Sequence, residues 1–170
     1  QGTIIDLLMP PLSHGELLAG IVGAAATRAV LVGGAVALAI FLYPGAKLMV
    51  SHPWAIIWFG LMGALMLGFF GLMASIWAEK FDHNAAVTNF VVAPLSLLSG
   101  TFYTLDRLQE PFYTISHFNP FFYVISGFRY GFISSTDSPL LAGSLLLLAI
   151  NAALGIGCYA LLRSGWKLRS

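Results

Sequence analysis

The stretch WAIIWFGLMGALMLGFFGLMASIWA, residues 54–78, decides the fold. It carries no charged residue over a length that, as a helix, crosses a hydrocarbon core about 30 Å thick. A helix lying on a soluble domain keeps a polar face, and this run has none. Further apolar runs lie on either side of it. Residues 139–162, PLLAGSLLLLAINAALGIGCYALL, are as long, and Pro139 suits a helix start. Residues 85–105, AAVTNFVVAPLSLLSGTFYTL, contain Pro94, which predicts a kink that lipid tolerates when neighbouring groups satisfy the freed carbonyl. Residues 17–43 are long enough to span but are interrupted by Arg28. The sequence therefore predicts an all-α, polytopic transmembrane helical bundle with four spans.

Composition agrees. The chain has 170 residues, 58% hydrophobic and 9% charged, with a mean hydropathy of +0.85. Soluble domains carry about 25% charged residues. Eight Lys and Arg face seven Asp and Glu, so no net field attracts nucleic acid, and none is expected as a partner. The bilayer is the expected surrounding. Cys158 is the single cysteine, which excludes a disulfide within the chain. The sequence opens at Gln1 without a basic segment and apolar core of the signal-peptide kind. It reads as a piece of a longer chain that begins partway through its topology.

The connections set the orientation. With four spans, the N-terminus, loop 79–84 (EKFDHN) and tail 163–170 (RSGWKLRS) share one side. Lys80, Arg163, Lys167 and Arg169 lie there, against Lys47, Arg107 and Arg129 on the other. The positive-inside rule then places both ends in the cytoplasm. Small residues recur at four-residue spacing, Ala25, Ala29, Gly33 and Ala37 on one span and Gly60, Ala64 and Gly68 on the next. Such stripes let helices approach closely in lipid and predict protein contacts.

Nothing in the sequence has the form of a catalytic or metal site. His14, His52, His83 and His117 fall in different connections without metal-ligand spacing. GIGCYA (155–160) matches a loose dinucleotide-loop pattern but sits within a span, so it reads as packing. Glu79, Lys80 and Asp82 form a charged cluster that reads both as a solvated loop and as a docking surface. Arg28 and Asn151 are the polar residues deepest in the spans. For Arg28, roughly 18 Å into its helix, the expectation is a helix that protrudes from the membrane. For Asn151 it is an interhelical hydrogen bond. At the N-terminus, Thr3 and Asp6 approximate a capping box, with Ile4, Ile5, Leu8 and Met9 on one face of a short helix stopped by Pro10 and Pro11. Such a helix suits either the headgroup layer or a groove on a partner.

Residues 118–132, FNPFFYVISGFRYGF, are too short to cross a bilayer and too apolar for water. Asn119 is a good N-cap and Pro120 a good first helical residue. Asp106 can cap an earlier short helix over 107–117. The two predict a helical hairpin that dips into the outer leaflet and returns, with its aromatics at the interface and Arg129 reaching headgroups or water.

The order of these pieces, QGTIIDLLMPPLS, the spans, EKFDHN, then VVAPLSLLSGTFYTLDRL and ISHFNPFFYVISGFRYGF, resembles the membrane (permease) subunit of type-2 ABC exporters, which move drugs, lipids or polysaccharides. The resemblance implies four spans of a six-span permease, 17–43, 54–78, 85–105 and 139–162, with a re-entrant helical hairpin at 106–138 on the outer side. It implies a coupling helix at Ile4, Ile5, Asp6, Leu7, Leu8, Met9, Pro10, Pro11 and Leu12, inserted into a separate nucleotide-binding ATPase subunit. Glu79, Lys80 and Asp82 would be a cytoplasmic loop contact, and Asn119, Pro120 and Arg129 would shape the outer exit. It further implies a second permease copy, a bacterial inner-membrane location, and ATP with Mg on the partner subunit and no cofactor on this chain. The alternative is a membrane anchor or intramembrane enzyme portion whose catalytic residues lie upstream.

Overall fold

The computed structural model describes residues 13–44, 49–78, 85–99, 117–136 and 138–164. Among these the chain is helical, without strands. Three helices are long and apolar enough to cross a membrane: α1 (His14–Leu42), α2 (Pro53–Trp77) and, at the C-terminal end of the order, α5 (Leu140–Ser164). Between them lie α3 (Ala85–Leu97) and α4 (Pro120–Ile133). The described part of the expected span 85–105 is α3. Its remainder, the expected helix 107–117 apart from His117, the coupling residues 4–12 and the loop contacts 79–82 lie outside the described residues.

Local sequence sets the helix ends. Ser13 caps α1 through a full capping box: the Glu16 N–H donates to Ser13 Oγ (3.3 Å) and the Ser13 N–H to Glu16 Oε2 (2.7 Å). Pro53 occupies the first turn of α2, where its missing N–H costs nothing. In α3 the predicted kink at Pro94 takes a particular form, a π-helical turn over Thr88–Val92 in which the Ala93 N–H bonds Thr88 O. A proline ring collides with the carbonyl four residues back, here Phe90, and the wider turn relieves that clash. The Ser96 hydroxyl donates to Val92 O at 2.8 Å, one turn beyond the widened segment.

The core runs along α2. Ala55, Phe59, Met62 and Met66 pack with Leu147 of α5, and Phe121, Tyr123 and Val124 of α4 close over them. A second cluster, Leu72 with Cys158 and Leu162, receives Leu17, Leu18 and Ile21 from the foot of α1. The foot of α1 is therefore level with the far ends of α2 and α5. Arg28 stands exposed 14 residues, about 21 Å, from the helix start. Beyond this foot α1 leaves the bundle. Ala25 meets Gly68, where an added Cβ would stand 3.3 Å from the Ala25 Cβ, but Gly33 has open space around it. The predicted small-residue stripe thus makes its contact at Ala25, whereas Ala29 and Gly33 are exposed, because the helices diverge.

Candidate functional site: a short helix packed on the second span

Asn119 and Pro120 open α4 as the sequence predicts. The Asn119 Oδ1 accepts from the Phe121 N–H (3.0 Å), and Pro120 fills the first turn. At 14 residues, about 21 Å, α4 is too short to span. Its direction follows from its contacts. Val124 lies against Gly63, Gly127 against Phe59, and Gly131 against Ile56 and His52, so α4 runs antiparallel to α2. Gly63 is ten residues from Pro53, about 15 Å along the axis. The start of α4 is therefore deep beside α2, and the helix climbs to the end from which α2 descends.

Asn119 sits at the deep tip and is 3% exposed. Besides capping α4, its Nδ2 donates to Leu95 O of α3 at 2.6 Å. One amide thus terminates one helix and ties it to the next. Tyr123 adds a bond from its hydroxyl to His117 O (3.0 Å). At the opposite end of α4, the Ser51 and His52 N–H groups both donate to Gly131 O (2.9 Å each), and the Ser51 hydroxyl donates to Phe132 O (2.9 Å). The His52 ring stacks on Tyr130 with centroids 4.4 Å apart, and its two nitrogens lie 3.4 Å from the Tyr130 and Ser134 hydroxyls. Ser134 ends the helix in the left-handed region, φ 55°. Buried Ser126 accepts from the Ser138 hydroxyl (3.1 Å), which pins α4 to the lead-in of α5.

The approach of α4 to α2 depends on glycine. A Cβ on Gly127 would stand 2.5 Å from Phe59 Cδ2, and one on Gly131 would stand 3.1 Å from the Ile56 nitrogen and 3.2 Å from His52 O. Gly127 and Gly131 form a G-x-x-x-G pair, the spacing that presents two bare patches on one helix face. These residues were not anticipated from the sequence, although the spacing is visible in GFRYG (127–131). Arg129 lies on the same turn, half-buried.

The remaining predicted residues fall apart from this helix. Arg28 is on exposed α1. Asn151 is buried in α5 and makes the expected interhelical bond: its Nδ2 donates to Met62 O of α2 (3.2 Å) as well as to Leu147 O (2.9 Å). Its Oδ1 is buried without a hydrogen-bond partner among the described residues. GIGCYA lies within α5 and packs, Gly155 against Phe69 and Cys158 with its Sγ 3.4 Å from Phe69 O.

Apolar spans of this length, with a short helix packed along one of them, define a multi-pass helical membrane protein. The chain belongs to the ABC-2 type transporter family, whose pattern matches residues 1–133. It is 35% identical over 172 residues to the inner membrane transport permease YadH of Escherichia coli (strain K12), and equally to that of Shigella flexneri. The alignment covers 100% of this chain and 66% of each relative, so the chain spans just under two thirds of their length. No solved structure matches it.

Proposed function

We infer that this chain is part of the permease subunit of an ATP-driven ABC exporter in a bacterial inner membrane, with its described helices contributing to the translocation path. The observation that carries this reading is the correspondence with an inner membrane transport permease over 100% of the chain. In this reading a separate nucleotide-binding subunit holds ATP and Mg, and a second permease copy completes the path. Residues 4–12 dock on that ATPase subunit from the cytoplasmic side, with Glu79, Lys80 and Asp82 facing the same partner. The geometry supplies a route for force. The segment immediately precedes Ser13 in the sequence, at the foot of α1, and that foot packs on Leu72 of α2 and Leu162 of α5 together. Displacement of the docked segment therefore acts on a helix that touches two other spans. On the far side, α4 with Asn119, Pro120 and Arg129 shapes the exit.

The test uses the full-length parent protein co-expressed with its ATPase subunit. Replacing Leu8 and Met9 by Asp removes the apolar face of the docking segment. The expected result is loss of co-purification and of permease-stimulated ATP hydrolysis. An intact complex with unchanged stimulation overturns the coupling assignment.

A further inference from the structure

At the Trp77 end of the bundle, residues of α2, α5 and α3 line a groove of about 350 Å³. Phe70, Met73 and Trp77 form one wall, Leu154 and Leu161 the other, and Val87 of α3 the third. A second groove of about 250 Å³ shares Trp77 and Val87 with the first and continues along α3 past Phe90. The two make one elongated track. Among the described residues both linings are apolar and aromatic, which suits an apolar ligand rather than one recognised by hydrogen bonds. The track is continuous with the lipid-facing surface, since Trp77 is 56% exposed and Phe90 81%. Trp77, the last residue of α2, is of the type that marks the level of the headgroups, and the track runs inward from there towards Phe70.

We propose that this track is a binding site for one acyl chain of a bilayer lipid, in the leaflet at the Trp77 end of the spans. The assignment rests on membrane embedding and not on the transport reading, so either stands if the other fails. The probe is a phospholipid with a diazirine in one acyl chain, added at low mole fraction to vesicles holding the full-length parent protein. Crosslinks are mapped by residue. Ile156 is the internal control, 70% exposed on α5 and at the same depth between Leu154 and Leu161. The expected result is labelling of Met73, Leu154 and Leu161 about threefold or more above Ile156. Ala74→Phe, which fills the groove, brings that labelling down to the control level. Val87→Phe fills it from the other wall and serves if the first variant does not fold. Equal labelling at Ile156 makes the track ordinary lipid-facing surface and overturns the proposal. Labelling below the control means that a protein segment covers the groove, which also overturns it, as does undiminished labelling in a folded filling variant.

Discussion

Gly127→Ala tests the packing of α4 on α2 with a single methyl group. The new Cβ would lie 2.5 Å from Phe59 Cδ2, about an ångström inside ordinary van der Waals contact. Phe59 cannot yield by swinging out, because it is 1% exposed among Ala55, Met62, Met66 and Leu147. The helices must separate or the ring must leave its rotamer, and overpacking of this kind costs about 1–3 kcal/mol. Alanine recovers up to about 1 kcal/mol of helix propensity. The expected net loss is up to about 2 kcal/mol, the difference between those two effects. Gly33→Ala gives the propensity effect alone, since nothing lies within 4 Å of that position. The assay is thermal unfolding of the detergent-purified protein, read by intrinsic fluorescence, for both variants and for Gly127→Ala combined with Phe59→Leu. The apparent Tm should fall for Gly127→Ala and hold or rise for Gly33→Ala. The double variant should be less damaged than the sum of its parts, because the smaller side chain makes room for the methyl. Equal stabilisation at both glycines, with additive behaviour in the double variant, would refute the close approach of α4 to α2.

Two further outcomes follow from the amides. Asn119→Ala removes both the cap on α4 and the tie to Leu95 and should cost about 1–2 kcal/mol, whereas Asn119→Ser keeps the cap and should fall between it and the wild type in the same unfolding assay. A serine variant as stable as the wild type would show that the Leu95 bond contributes nothing. Asn151→Leu should change stability by less than about 1 kcal/mol, since interhelical hydrogen bonds in membranes average near 0.6 kcal/mol and the change also removes the partnerless Oδ1. Asn151→Asp should cost about 2.5–3.5 kcal/mol by placing a charge deep in a span, and a leucine variant equally damaged would contradict that account.

What the sequence reveals here divides along a physical line. Partition into lipid is a property of each segment by itself, so the runs 17–43, 54–78 and 139–162 anticipate α1, α2 and α5 within three residues at each end. The start of α4 was equally legible, because the Asn119 cap and the Pro120 first turn act locally. Pairing is different, since it depends on two surfaces fitting. The stripe Ala25, Ala29, Gly33, Ala37 predicts a partner along its length, yet contact is made at Ala25 and lost by Gly33. Conversely, Gly127 and Gly131 are spaced for close packing, but only the position of Phe59 and Ile56 gives that spacing a meaning. Pro94 foretold a break in α3 without foretelling that a widened turn would absorb it. The expected coupling and loop-contact residues lie outside the described residues, so the structure bears on them only through the helix they lead into.

The placement of α1 has a mechanical corollary. The rod is gripped over residues 17–25 and stands clear for the next 17 residues, about 26 Å. It is a lever with its fulcrum at Ala25 and Gly68. A tilt of about 10° at the short arm sweeps the far tip through roughly 4–5 Å, about a twofold gain in travel. The ten-residue strap from Tyr43 to His52, which returns to the head of α2, limits how far that tip can swing.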